Sequence, residues 1–329
     1  MPSQTQWAAA KARQAMYAAL RAFFDAHGYL EVETPQLVPT PGMEVHIDPF
    51  EARFQPQTGV GQARSLYLHT SPEYAMKRLL ADGAGPLFQI ARVFRNGEVS
   101  EHHNPEFTLL EFYRPNADYS AIMADLEQAL SAVEAAVNPG ARVFSPLPYE
   151  RLTVRDAVLR ETGIDIRVHC TFTLLKEAAE KAGIRVGGAS SFDDVFFHIF
   201  LQKVESKLGL ERPTFLTEYP ASMAALAKLK DADPTVAERV ELYVKGVELG
   251  NGFSELTDTA EQRRRLLDEQ AQRSAQNRPA FALDEAFLAA LPKMPPSAGI
   301  AVGLDRVLML MTGQRTIADV LLFPAQDFL

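Results

Sequence analysis

The sequence predicts an α+β fold built on an antiparallel sheet flanked by helices. Three observations carry that reading. Extended segments are joined by hairpins, and helical segments gather in their own stretch at about 138–210. Neither a GxxxxGK[ST] loop nor a strand–GxGxxG–helix occurs, so the doubly wound nucleotide folds have no signature here. With 47% hydrophobic and 23% charged residues, the 329-residue chain has globular proportions that exclude disorder and fibrous repeats. A formal charge of −9 argues against a protein that grips nucleic acid mainly through phosphates. The single cysteine, Cys170, excludes a disulfide framework or multi-cysteine zinc site and fits a reducing cytoplasm. Lys11, Arg13 and Arg21 interrupt the alanine-rich start, which reads as an amphipathic helix and not as a signal or membrane span.

That helix should stop near His27-Gly28, since glycine is the usual stop. Tyr29 to Pro35 alternates and ends at proline, as a short strand does, and 53–65 is a polar loop. Ser65–His69 reads as a strand. In Thr70-Ser71-Pro72-Glu73 a serine N-cap, a proline at the first helical position and an acid in the first turn open a helix. Strands are expected at 87–94 and 106–113, and a break at 138–148. The mostly helical stretch then runs to about Gly209, interrupted by a Gly/Ser loop at 187–191. Strands return at 213–219 and 239–253. A charged helix covers 258–275, and Ala298–Arg306 is an apolar strand leading into a terminal helix.

Three segments carry chemistry. On a strand from 106, the period of two sets Phe107, Leu109, Glu111 and Tyr113 on one face: an aromatic plate, a carboxylate and a phenol in one row, with Arg95 able to reach back over it. The plain alternative is a half-buried strand with an incidental glutamate. Arg239–Glu255 reads as a hairpin turning at Lys245-Gly246, with Tyr243 facing Glu248 and Glu241 its diagonal neighbour. Two such carboxylates suit Mg²⁺ unless they merely face solvent, and the GNGF that follows permits close approach to a ligand. In Gly299–Arg306 a strand runs into a helix whose first turn holds Arg306, a natural phosphate clamp; Asp305 alone would read as a cap. His102-His103 lacks metal-ligand spacing.

Taken together, these segments resemble class II aminoacyl-tRNA synthetases. FRN…HNPEFTLLEFY is similar to their motif 2, GIAVGLDR to motif 3, and GYLEVETPQL to the dimer-forming motif 1. TSPEYAMKRLL, GVELGNGFSELTD and RTIADVLLFP resemble the lysine-specific branch, and the likeness spans nearly the whole chain. It implies one catalytic domain over 1–329, working as a homodimer with ATP and Mg²⁺. By the same resemblance Arg95 binds the α-phosphate, with Asn96, Gly97 and Glu98 beside it, and His103 and Asn104 lie on the phosphate side. Phe107 stacks on adenine, Leu249 and Gly303 line the nucleotide, Arg306 holds the far phosphates, and Glu241 and Glu248 hold Mg²⁺. For lysine, Glu73 takes the α-ammonium next to Ser71 and Pro72. Glu255 takes the side-chain ammonium, and Glu111, Tyr113, Asn251, Phe253 and Ala301 shape the pocket.

The sequence offers no room for an anticodon-reading domain of roughly 100 residues. The resemblance therefore points to the stand-alone branch that attaches a lysine isomer, (R)-β-lysine, to a lysine of elongation factor P, with no tRNA and no membrane as partner. Ala301, where lysyl-tRNA synthetases carry glycine, agrees with this. Two departures from the family stand out: motif 2 reads Arg95-Asn96-Gly97-Glu98 where FRNE is usual, and Glu101 replaces a basic residue. The alternatives are a lysine activator with tRNA or a small amine as acceptor, and a non-catalytic lysine or ATP sensor.

Overall fold

The structure, a computed structural model, describes residues 1–57 and 62–329; part of the polar loop expected at 53–65 lies outside the described residues. The order is α1 (Gln4–Ala26), β1 (Leu30–Glu31), β2 (Leu37–Val38), β3 (Phe50–Phe54), β4 (Arg64–Leu68), α2 (Glu73–Ala81), β5 (Leu87–Phe94), β6 (Glu106–Pro115) and α3 (Tyr119–Val137). There follow β7 (Glu150–Thr153), α4 (Val154–Thr162), α5 (Phe172–Lys181), α6 (Phe192–Ile199), β8 (Thr214–Pro220), β9 (Leu229–Lys230), β10 (Asp233–Val244) and β11 (Val247–Ser254). The chain closes with α7 (Thr259–Ala275), α8 (Glu285–Ala290), β12 (Ser297–Gly303) and α9 (Leu304–Met311).

Among the described residues, nine strands form one sheet in the order β1-β5-β6-β12-β11-β10-β8-β7, with β9 on β10; β2, β4 and β3 make a smaller one. The centre is antiparallel as expected. The two outer pairings, β1 with β5 and β7 with β8, are parallel, so the sheet is mixed. The strand expected at 29–35 shrinks to two residues at that edge. Short β7 was not legible, since four residues at the end of a Pro-rich break carry no period.

Alternation decides which face of the sheet does what. Leu110, Phe112, Val240, Leu242, Ile300 and Val302 turn to one side and are buried with the apolar faces of α1, α3 and α9. The opposite side is left to the polar row, roofed by α2 and α8 through Met76, Leu80, Phe287 and Leu288. At ~25 cal/mol per Å² of buried apolar surface, the first layer supplies the rigidity on which the second is mounted. Helix starts follow from their caps. Ser3 and Gln6 form a reciprocal capping box on α1, and Asp118 and Asp258 cap α3 and α7. The expected α2 start slips by one residue: Pro72 is the N-cap, while Ser71 Oγ still accepts from the Glu73 amide (3.0 Å). Asp305 is not a cap. It is buried, binds Arg13 of α1 at 2.5 Å and accepts from the Thr108 amide at 2.7 Å, tying α9 to α1 and β6.

Candidate active site

A cavity of about 440 Å³ opens on the polar face of the sheet. Strand register builds it. Ala301 pairs with Glu111 on one side and Asn251 on the other, and Gly299 pairs with Tyr113 and Phe253. Two adjacent rows therefore run Glu111–Ala301–Asn251 and Tyr113–Gly299–Phe253. A Cβ on Gly299 would lie 2.2 Å from the Tyr113 ring and 3.0 Å from Glu255 Oε1, so only glycine leaves this floor intact.

The closed end is acidic. Glu111 is buried, accepting from Tyr113 Oη (2.6 Å) and Ser71 Oγ (3.0 and 3.2 Å). Burial, reinforced by the charge of Glu73, lifts its carboxyl to about 8. Glu255, 4% exposed, is likewise lifted to about 8 by burial, against the pull of Lys77. Neither of its oxygens has a hydrogen-bond partner. Lys77 Nζ lies 2.5 Å from Glu73 Oε1 and 2.6 Å from Glu255 Oε2.

The other end is basic. Arg95 lies over the Phe107 ring, 5.1 Å from its centroid, and near Glu98 at 4.0 Å. Arg306 donates to Glu248 O (2.7 Å) and His102 O (3.1 Å) and meets His103 Nε2 at 2.7 Å. Desolvation, then the charges of Arg306 and Arg95, depress His103 to about 4, which keeps it neutral. Glu248 is raised to about 7 by burial and by Glu241.

Of the residues singled out in the sequence, the cavity brings together Ser71, Glu73, Glu111, Tyr113, Asn251, Phe253, Glu255 and Ala301 at or near the acidic floor. It also takes in Arg95, Glu98, His103, Asn104, Phe107, Glu248, Leu249, Gly303 and Arg306. Four residues fall outside. Asn96 and Gly97 line a separate cavity beside the chain end, because Gly97 turns the loop at φ +83°. Pro72 only starts α2. Glu241 is engaged by its own strand and β8: Arg239 (2.7 Å), Tyr243 (2.7 Å) and Tyr219 all donate to its carboxylate. As a ligand to Mg²⁺ it would share its oxygens with these donors, Oε1 with Arg239 alone. The register explains its neighbours, since a bulge after Leu242 moves Glu241 opposite Asn251 while Tyr243 keeps Glu248. Asn104 touches the cavity, and its amide donates to Glu106 O (2.6 Å) and accepts from the Ala325 amide (2.9 Å), which fixes its orientation.

Among the described residues, no three His, Cys, Asp or Glu side chains gather as a metal cage. Glu248, half-buried beside Arg306 and the cavity, suits a divalent cation that arrives with its own phosphate oxygens. The sequence reading missed Glu44, Arg239 and Glu269, which also line the cavity. Glu44 sits on a loop without periodicity, and Glu269 on a charged helix that looks solvated.

The model of the tRNA synthetases class II (D, K and N) matches residues 3–327. The chain is 41% identical over 321 residues to the elongation factor P–(R)-β-lysine ligase of Hamiltonella defensa subsp. Acyrthosiphon pisum (strain 5AT), covering 95% of this chain and 94% of that one. It is 42% identical over 314 residues to the protein of that name from Salmonella typhi, covering 94% and 93%.

Proposed function

The chain belongs to the tRNA synthetases class II (D, K and N), and on that premise we propose that it activates (R)-β-lysine with ATP and transfers it to a lysine side chain of elongation factor P. One observation carries the reading: a single cavity with Glu73, Glu111 and Glu255 at one end and Arg95 and Arg306 at the other. A ligand pair bearing two ammonium groups and a polyphosphate fits that polarity. The acceptor is taken from what the relatives' names say of those proteins.

The lysine carboxylate attacks the α-phosphorus, forming the acyl–phosphate bond while pyrophosphate leaves. The acceptor amine then attacks the acyl carbon and AMP leaves. Positioning and charge neutralisation suffice for the first step. Glu73 and Glu255 would hold the two ammonium groups, and Arg95 and Arg306 would face the phosphates, with Phe107 beneath the base. Glu248 would hold Mg²⁺, which neutralises phosphate charge when bound. The acceptor amine must be neutral, since a lysine with an ordinary pKa of about 10.4 is mostly charged at pH 7. The working form would be a cytoplasmic homodimer; among the described residues no helix is long and apolar enough to cross a membrane.

Exchange of pyrophosphate into ATP is expected with (R)-β-lysine and no tRNA. Absence of exchange with either lysine isomer from folded protein would overturn the assignment in favour of a sensor. Lysine binding should also tighten as pH rises from 6 to 8. Glu111 and Glu255, raised to about 8, hold protons below that pH, and an ammonium ligand needs them ionised. The gain approaches about tenfold per pH unit for each proton expelled. Calorimetry across this range checks it; a flat affinity would mean ordinary carboxyl groups at the floor.

A further inference from the structure

We infer that Lys77 is a positioning residue of the lysine pocket: its ammonium fixes one oxygen each of Glu73 and Glu255 and leaves the floor with two net negative charges, the complement of a diammonium substrate. This rests on reading the cavity as a lysine pocket.

Lys77 stands one helical turn after Glu73 on α2, so both side chains leave the same face. Its side chain is 1% exposed, deep for a lysine, and it does not appear among the residues lining the cavity. A charge taken out of water needs partners, and Lys77 has two at 2.5 and 2.6 Å. The groups facing it are Glu73 from α2, Glu255 after β11, Glu111 from β6, and the Phe287 ring of α8 at 5.9 Å. With Glu73, Glu111 and Glu255 ionised, as a bound diammonium ligand requires, these three and Lys77 give a formal −2; Glu44 and Glu269 line the same cavity beyond Glu73 and are held raised by burial and by its charge. Neither oxygen of Glu255 has a hydrogen-bond partner, and the Lys77 ammonium stands at 2.6 Å from Oε2, so Oε1, turned to the Gly299 floor, is the oxygen farther from a cation and open to a ligand. Without Lys77 the floor would carry −3. It would then hold a proton more tightly, and that proton would have to leave before a diammonium ligand could bind.

Two observables separate this role from mere packing. In Lys77→Met, the pH at which (R)-β-lysine binding is half-maximal should rise by about one unit, with binding at pH 7 weakened about tenfold and ATP affinity unchanged. Lys77→Arg should restore the wild-type midpoint. The second observable remains if the methionine variant fails to fold. Glu255→Gln alone leaves the floor at −1, whereas Glu255→Gln with Lys77→Met returns it to −2. The double variant should therefore bind (R)-β-lysine more tightly than Glu255→Gln. An unmoved midpoint, or a double variant that binds no better than Glu255→Gln, overturns the inference. Failure of the wild-type protein to bind any lysine isomer would instead overturn the pocket reading beneath it.

Discussion

Replacing Arg95 with alanine is expected to lower turnover by roughly 10²–10³, the loss seen when one donor to a developing oxyanion is removed. Arg95 sits above Phe107 at the basic end of the cavity, and its Nε is buried without a partner. Glu98 is 4.0 Å away, too far for a tight pair, and Glu44 and Glu248 act on it only through their charge. The guanidinium is thus available to charge that grows on phosphate during attack. Ground-state binding should suffer less, because Arg306 remains anchored by Glu248, His102 and His103. Single-turnover kinetics of adenylate formation against ATP affinity test this. A variant that loses ATP affinity in proportion to turnover would make Arg95 a uniform binder.

Glu255→Gln is the second large effect, directed at the other substrate. The glutamine keeps the shape but loses the charge that meets an ammonium, on the order of 1.5–3 kcal/mol, or roughly ten- to hundredfold in lysine affinity. ATP binding should be unchanged, since Glu255 lies at the acidic end with Lys77 and Gly299. Calorimetry with each ligand separately checks the split. Equal weakening of both would mean that the floor collapses, and no weakening would mean that the ammonium binds elsewhere.

Legibility in the sequence followed the range of the determining forces. Period two sufficed for the Phe107–Tyr113 row because a strand in a sheet with one polar face has no other way to dispose of it. The hairpin at Lys245-Gly246 was legible from its turn, but not the bulge that set Glu241 opposite Asn251. The bulge lies between Leu242 and Tyr243 in the pairing of β10 with β11, and no local pattern records it. The hydrogen bonds to Glu241 were not legible either, since Tyr219 and Arg239 approach from β8 and from two residues earlier on its own strand. Asn96 and Gly97, expected by resemblance beside the nucleotide, line the neighbouring cavity, while Arg95 and Glu98 on either side of them line the main one. The parallel edges were hidden for a similar reason: two- and four-residue strands carry too little sequence to show their partners.

The measurement closest to the central claim is intact-mass analysis of elongation factor P after incubation with this protein, ATP, Mg²⁺ and (R)-β-lysine, run beside a parallel reaction with total tRNA. A single lysyl increment on elongation factor P that vanishes without ATP, with no acid-stable label on tRNA, is the result expected here. Label on tRNA with elongation factor P unmodified would contradict it.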